Sequence, residues 1–299
     1  MTEGLILILA AGAVFCLMGV VFSVTARRGL DMVPLMAVSG GGLAVGGLGW
    51  VDVGALRAEP VADLGRLAAV MVSAGAVSTA GMAAMHAGMK RGPQAPVWTI
   101  GQSALAVPFV AGVVVFGDTA GVVRWSGLVA ILIGLVLFGL AKRPPNGPSQ
   151  PPGGEPASGG LPLAFLAFAV IGLSQTLMTV PSHTSADPDP ASLRVTLIGL
   201  GRMAGGIGLA VGLRARFGRA VLLWGAGMAL LSLSSTSLML AGLDALAAHG
   251  RAGIGFPVAV GICILGFVAY RIVTGREPAQ PTRLAAIAAC LAGIVLISL

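Results

Sequence analysis

The sequence is poor in charged and aromatic residues. Of its 299 residues, only 10% are Asp, Glu, Lys or Arg and only 5% are aromatic, with a single tyrosine. A soluble domain has roughly 25% charged residues, which it needs to cover its surface with polar groups. The deficit of charge therefore excludes an ordinary soluble enzyme and a disordered protein.

The sequence also lacks the motifs that carry catalysis or metal binding. Cys16, Cys263 and Cys290 lie in apolar runs without CxxC or Cys/His spacing, which excludes a disulfide framework and a zinc site. There is no HExxH, no Walker A motif, no GxGxxG after a strand, and no acidic residue in the middle of an apolar segment. We therefore predict no catalytic residues, no metal and no cofactor, and expect a protein that is not an enzyme.

Hydrophobic residues are abundant. They make up 56% of the chain, beside 46 glycines, and the mean hydropathy is +0.95. Ten apolar segments have about the 17–25 residues that a helix needs to cross a bilayer. They cover residues 5–24, 32–51, 67–89, 95–116, 122–140, 161–180, 195–213, 220–243, 254–270 and 284–299. The sequence predicts an all-α membrane protein with ten transmembrane helices.

A segment rich in Pro, Gly and Ser divides these helices into two groups of five. Residues 142–160 read KRPPNGPSQPPGGEPASGG, a composition typical of an extended linker. We expect one five-helix repeat over 1–141 and a second over 161–299. An odd number of helices per repeat gives the second repeat the opposite orientation, as in alternating-access transporters.

Matching residues in the two groups support an internal repeat. Four residues of the first half recur at offsets of 158 to 159, and the run GGLAVGGL at 41–48 is echoed by GIGLAVGL at 206–213. The recurring residues are Gly92, Gly117, Arg124 and Gly134, which match Gly250, Gly275, Arg283 and Gly293.

The stretch 92–139 resembles EamA-type domains of the drug/metabolite transporter superfamily. It has a proline in mid-helix at Pro108, a short turn at Gly117-Asp118, and Arg124 before a glycine-rich final helix. The second half resembles the pattern more loosely around Gly275 and Arg283. The resemblance implies a ten-helix carrier of small metabolites in the bacterial cytoplasmic (inner) membrane. It names no substrate.

Polar residues inside apolar segments are the candidates for substrate binding, because a polar side chain is costly in a bilayer. Arg202 lies about eight residues, or roughly 12 Å, into the seventh segment, where its charge favours a polyhydroxylated or anionic substrate. With Arg202, we expect the following residues to line a central cavity: Ser78, Trp98, Gln102, Gln175 and Phe256. His86 is a candidate for proton coupling, against the plainer interpretation of a hydrogen-bonding residue near a loop.

Each of these residues also has a structural interpretation. Arg202 would cap helix carbonyls or extend to an interface, Trp98 would lie at the membrane interface, and the glutamines and serines would join helices. GxxxG spacings such as Gly42/Gly46, Gly201/Gly205 and Gly208/Gly212 predict close helix packing.

The net charge of +7 comes from basic residues in the connections between apolar segments and does not indicate nucleic-acid binding. Twelve Lys and Arg residues fall in odd-numbered connections and five in even-numbered ones. The positive-inside rule then places the odd connections in the cytoplasm and both termini outside, whereas EamA-type carriers usually have the reverse orientation. The even group contains Arg57, Arg66, Arg124, Arg194 and Arg251.

Three other functions remain open at this stage. The first is an exporter of cationic drugs or quaternary amines, the second a membrane-embedded lipid-modifying enzyme, and the third a sensor or scaffold without transport activity. The expected partners are a small-molecule substrate and the lipid bilayer, with a homodimer also left open.

Overall fold

The computed structural model describes residues 1–51, 54, 60–91, 97, 100–140, 160–184, 191–274 and 280–299. Within these residues the chain forms ten α-helices and no β-strand. The first five are α1 (Thr2–Arg27), α2 (Met32–Leu48), α3 (Val61–Arg91), α4 (Ala106–Val114) and α5 (Val122–Leu140). The second five are α6 (Gly160–Thr184), α7 (Ala191–Gly212), α8 (Arg219–Ala247), α9 (Gly255–Val273) and α10 (Pro281–Ser298).

The helices have the apolar composition of membrane spans. Five of them are long and apolar enough to cross a bilayer, namely α1, α3, α6, α7 and α8, and the other five are shorter apolar helices. Large apolar side chains such as Ile133, Leu223 and Leu230 face outward with half or more of their surface exposed. Such an outer surface suits lipid and would be a liability in water.

Both α4 and α9 begin with a turn of 3₁₀ helix, at Ser103–Leu105 and Ala252–Ile254 respectively. Proline is the third residue of each α-helix, Pro108 in α4 and Pro257 in α9. A proline removes one helical hydrogen bond and its ring crowds the carbonyl four residues earlier, which here belongs to the 3₁₀ turn. The prolines thus account for the tighter turn at the start of both helices.

Four helices, α2, α3, α7 and α8, form the centre of the bundle. Helix α7 packs on α2 and α3, and α8 packs on α2 and α1. Helix α6 packs on α3 and α4, α9 packs on α1, and α5 pairs with α10. Apolar side chains from most helices form the main core, among them Ile8, Leu43, Met71, Phe109 and Phe256.

Glycines allow the closest helix contacts. A Cβ atom at Gly201 would lie 2.0 Å from the carbonyl oxygen of Val72, and one at Gly42 would lie 2.5 Å from the Cβ of Ala229. The prediction of close packing is confirmed for Gly42/Gly46 and Gly201/Gly205. It is wrong for Gly208/Gly212, because no atom of the described residues lies within 4 Å of a Cβ built at either position.

Three helix boundaries differ from the sequence prediction. The stretches 52–66 and 181–194 between predicted segments are partly helical, because α3 begins at Val61, α6 extends to Thr184, and α7 begins at Ala191. His183 and Arg194 are therefore helical residues. The predicted linker falls almost entirely at 141–159, outside the described residues.

The bundle has two ends, which we name by the chain segments found there. The terminal end contains Met1, the α4–α5 connection, the end of α6 and the α8–α9 connection; Met1 lies against His249, with 3.3 Å between the amine and Nε2. The linker end is the opposite one, where α5 ends and α6 begins.

Candidate functional site

Arg202 lies at the crossing of three central helices. Its backbone is close to α2 and α3, since a Cβ at Gly40 would lie 2.8 Å from the Arg202 Cβ and one at Gly75 would lie 2.8 Å from the Arg202 nitrogen. The hydroxyl of Thr79 donates a hydrogen bond to the Arg202 carbonyl oxygen at 3.3 Å. The crossing therefore fixes the backbone from which this side chain extends.

Three buried side-chain atoms have no hydrogen-bond partner among the described residues: Arg202 Nε in α7, Gln175 Oε1 in α6, and Arg194 Nε, whose two other guanidinium nitrogens contact Asp244. Arg202 is about 16 Å from the start of α7 and Gln175 is about 14 Å from the end of α6, at 1.5 Å per residue. The start of α7 and the end of α6 both lie at the terminal end of the bundle. Arg202 and Gln175 are therefore at similar depth along the bundle. A buried donor and a buried acceptor without partners carry an unmet desolvation penalty.

Arg202 takes part in none of the ion pairs of the described residues. Those pairs are Arg66–Asp63, His183–Asp118 and Arg194–Asp244. An arginine remains charged in proteins. The positive charge in the middle of α7 therefore has no described counter-charge.

The other predicted residues are distributed along several helices. Ser78 in α3, Gln102 just before α4, and His86 near the end of α3 are half-buried. Phe256 is buried in the main apolar core at the start of α9. Trp98, predicted to share a helix face with Gln102, lies outside the described residues.

Two of the concavities formed by described residues stand out, and neither of these two is lined by a predicted residue. One, of about 260 Å³, lies on the outer face of α5 and is lined by Val129, Leu132, Ile133, Val136 and Leu137. The other, of about 10 Å³, lies at the terminal end beside Asp118 and has room for no more than one water molecule.

Asp118 is the centre of a group of contacts that we call the clasp, formed by Asp118, Thr119, His183, Gly250 and Gly253. The Asp118 carboxylate accepts a hydrogen bond from the Gly253 N–H at 2.7 Å, and its other oxygen is 3.2 Å from His183 Nε2. The Thr119 N–H donates to the Gly250 carbonyl at 3.2 Å. The clasp therefore joins the α4–α5 connection to α6 and to the segment before α9.

Glycines make room for the Asp118 side chain. Gly117 has a φ of +74°, which L side chains rarely adopt, and the turn brings the Asp118 N–H to 2.8 Å from the Gly112 carbonyl. A Cβ at Gly112 or Gly253 would lie 2.7 or 2.9 Å from the carboxylate. A larger residue at either position would displace the carboxylate.

Hydrogen bonds and nearby positive charges stabilise the ionised form of Asp118. Burial alone would raise the pKa of its carboxyl group, but the hydrogen bonds from His183 and Gly253 and the charges of His183 and Arg124 together lower that pKa below its usual value. Asp118 is therefore a carboxylate at neutral pH.

His183 is held on both edges and on one face. Its Nδ1 lies 2.9 Å from the Thr179 carbonyl oxygen, and its Nε2 faces Asp118. The ring stacks on Phe116 with centroids 4.3 Å apart and planes inclined by 16°. Because both ring nitrogens face acceptors, neither is available to activate a nucleophile, which argues against a hydrolytic Asp/His dyad.

A second ion pair lies next to the clasp. Arg194 Nη1 donates to Asp244 Oδ1 at 2.9 Å and to the Ser182 hydroxyl oxygen at 3.2 Å, while Nη2 contacts Asp244 Oδ2. The Ser182 hydroxyl donates to Asp244 Oδ1 at 2.6 Å. These contacts hold the end of α6, the start of α7 and the end of α8 together.

The sequence did not predict either pair. Asp118 was noted only as part of a short turn, and Asp244 follows directly after the predicted eighth segment. The one available signal was their position, since an acidic residue at the border of an apolar segment is a candidate partner for a basic residue at another border.

Two of the five basic residues counted in even-numbered connections are buried helical residues. Arg194 is 1% exposed and paired with Asp244, and Arg124 is 7% exposed and donates hydrogen bonds to Thr119. Their assignment to loops is therefore wrong.

Comparisons with known proteins support the fold alone. No family model matches the chain, and no curated protein matches it. Fourteen chains of solved structures match it. One of them, a crystal structure, is similar to this chain with a TM-score of 0.68 and 14% sequence identity over 99% of this chain and 98% of that chain. The arrangement of ten helices therefore occurs in a protein with a very different sequence.

Proposed function

We propose that this protein is a secondary transporter of a small neutral, polyhydroxylated or anionic metabolite. It works by alternating access, belongs with the EamA-type carriers, and resides in the bacterial cytoplasmic membrane. The observation that carries the proposal is the Arg202 side chain in the middle of α7, with a buried Nε that has no partner among the described residues. A polar or anionic ligand would supply that partner.

The pattern of helix packing supports two inverted repeats. Suppose that α1 to α5 correspond in order to α6 to α10. Each contact in one half should then have an equivalent: α1–α8 is equivalent to α6–α3, α2–α8 to α7–α3, and α1–α9 to α6–α4. All six contacts are present. The contacts α2–α7 and α5–α10 correspond to themselves and are also present. A two-fold axis in the membrane plane produces this correspondence, and such repeats support rocking around a central site.

The charges favour a neutral or anionic substrate over a cation. Arg202 repels cations, and the carboxylates of buried Asp118 and half-buried Asp244 lie at the terminal end, already bound to His183 and Arg194. A cation exporter would need a carboxylate near the site to exchange protons for substrate. Gln175, at similar depth to Arg202, offers an acceptor for a substrate hydroxyl.

The test is ligand binding and flux with Arg202 variants. Purified protein is screened for thermal stabilisation by sugars, organic anions, amino acids and quaternary amines, and hits are measured for uptake into proteoliposomes. Arg202→Met should weaken binding of the hit by roughly tenfold or more, the equivalent of one charge-assisted hydrogen bond. Arg202→Lys should restore binding only in part, because an ammonium cannot reproduce the planar guanidinium.

Arg216→Met is the matched control, since Arg216 is an exposed arginine in the connection between α7 and α8. It should bind and transport as the native protein does. Unchanged transport in Arg202→Met, or quaternary amines as the only hits, would refute the preference for a neutral or anionic substrate. Flux of no compound in the panel would refute the carrier itself.

A further inference from the structure

The clasp connects the two halves of the chain at the terminal end. Asp118 and Thr119 belong to the first five helices, and His183, Gly250 and Gly253 belong to the second five. The contacts include a carboxylate–imidazole pair at 3.2 Å and two hydrogen bonds that involve backbone groups. Any motion that separates the halves at this end must break them.

The geometry of His183 requires two protons on its ring. The Thr179 carbonyl and the Asp118 carboxylate are both acceptors, and each faces a different ring nitrogen. A neutral imidazole has only one N–H, so its second nitrogen would direct a lone pair at an oxygen. Only the imidazolium cation satisfies both contacts.

The neighbouring charges leave His183 as the group that titrates near neutral pH. Asp118 is a carboxylate with a lowered pKa. The other charged side chains nearby, Arg124 and Arg251, are arginines, which do not lose their proton in proteins. Asp244, next to Ser182, is already paired with Arg194. The acidic residues of the connection after α6, Asp187 and Asp189, lie outside the described residues. An unperturbed histidine titrates between pH 5 and 8, as none of these other side chains does.

We propose that the clasp is a proton-binding site that closes the terminal end of the bundle. With a proton bound, His183 bridges Asp118 and the end of α6 and holds the two halves together. Loss of that proton removes the charge attraction and leaves one ring N–H to serve two acceptors, which weakens the bridge between the α4–α5 connection and α6. The ligand of the site is a proton taken up from the solution at that end.

Linkage fixes the direction of the effect. A site that binds a proton more tightly in the closed state must shift the population toward the closed state as pH falls. The terminal end is therefore closed in acid and opens as pH rises through the histidine transition. Opening is measured without substrate, so the test can fail while the carrier proposal stands, and the reverse also holds.

The experiment measures the width of the terminal end by pulsed electron spin resonance on the full chain in lipid nanodiscs. Spin labels are attached to Gly121→Cys and Ala248→Cys, two exposed positions of the first and second halves, in a background without the three native cysteines. Distances are recorded from about pH 5 to about pH 9, the range that brackets histidine titration. The long-distance population should grow with rising pH.

Three variants assign the transition. His183→Gln should abolish the pH dependence, whereas His249→Gln, an exposed histidine at the same end, should leave the midpoint unchanged. Asp118→Asn keeps an oxygen for the Gly253 N–H but removes the charge, and should lower the midpoint by about one pH unit, a tenfold change in proton affinity. A merely structural contact would weaken the fold in these variants without moving the midpoint.

A distance distribution that does not change with pH in the otherwise native chain would overturn the proposal. So would a transition that persists in His183→Gln with the same midpoint. If His183→Gln does not yield folded protein, Asp118→Asn decides the outcome, and an unmoved midpoint in that variant refutes the proton site.

Discussion

Replacing Asp244 by Asn should destabilise the protein far more than replacing its partner Arg194 by Met. The Arg194 side chain is only 1% exposed, whereas that of Asp244 is 18% exposed. Removing the carboxylate leaves a buried charge without compensation. Removing the arginine leaves a carboxylate that water can still reach and that keeps the Ser182 hydroxyl as a donor.

The size of the effect follows from what each variant leaves behind. Breaking a buried ion pair by removing one partner costs about 3–5 kcal/mol when the other charge remains buried. We expect a loss of this size in Asp244→Asn. Arg194→Met should cost about 1–2 kcal/mol, since the remaining carboxylate is partly solvated and the methionine fills much of the space of the arginine.

The assay is the free energy of unfolding by denaturant in mixed micelles for both single variants and the double variant. The double variant should be close to Arg194→Met alone, because no uncompensated buried charge remains. The exposed pair Arg66 and Asp63, with side chains 84% and 56% exposed and 3.8 Å apart, is the matched control. Its variants should change stability by less than about 1 kcal/mol. Equal losses for the two single variants, or a loss in Asp244→Asn no greater than in the control pair, would refute this reasoning.

Three further predictions concern other parts of the chain. A cysteine at Ser149, in the linker, should resist membrane-impermeant maleimide in intact cells if the excess of basic residues places the linker in the cytoplasm; rapid labelling would reverse the orientation. Replacing 144–156 by a Gly/Ser stretch of equal length should leave transport within about a factor of two, because the composition of the segment cannot bury apolar area; complete loss with normal expression would contradict this. Gly75→Leu should reduce the yield of folded protein, because a Cβ at Gly75 would lie 2.2 Å from the Ile198 carbonyl oxygen. Gly65→Leu should not, because a Cβ at Gly65 meets no atom of the described residues within 4 Å. Equal yields would show that α3 and α7 can separate.

The sequence predicted the helices well because their signal is local. A run of about twenty apolar residues has few alternatives to a transmembrane helix, so all ten segments correspond to helices. The boundaries at Val61 and Thr184 were wrong because helices extend beyond the apolar run into polar residues, where composition no longer distinguishes helix from loop. The prediction at Gly208 and Gly212 failed for a related reason. A GxxxG spacing indicates that one helix face carries small residues, but it does not indicate that another helix packs on that face.

The polar pairs could not be predicted because their partners are distant in the sequence. Asp118 and His183 are 65 residues apart, and Arg194 and Asp244 are 50 residues apart. Each residue alone resembles an ordinary loop residue at the border of a span. The packing of α6 against α4 brings Asp118 and His183 together, and the packing of α7 against α8 brings Arg194 and Asp244 together. Tertiary contacts of this kind have no periodic signature that a single sequence can reveal.

The ion pairs of the terminal end lie in a different part of the bundle from Arg202 and Gln175, each of which has a buried polar atom without a partner among the described residues. The difference separates the proposed ligand site in the middle from the contacts that close the terminal end. At the terminal end, Asp118 is paired with His183 and both Nη atoms of Arg194 contact Asp244, although Arg194 Nε has no partner among the described residues. An added ligand would have to compete with these ion pairs. Arg202 Nε lacks a partner, and a ligand that reaches it gains a hydrogen bond without displacing one. A ligand can therefore form new hydrogen bonds in the middle of the bundle, whereas at the terminal end it would have to replace existing ones. This division of roles fits the proposed carrier, in which a central site would exchange its occupant while the terminal end forms and breaks the same contacts in every cycle.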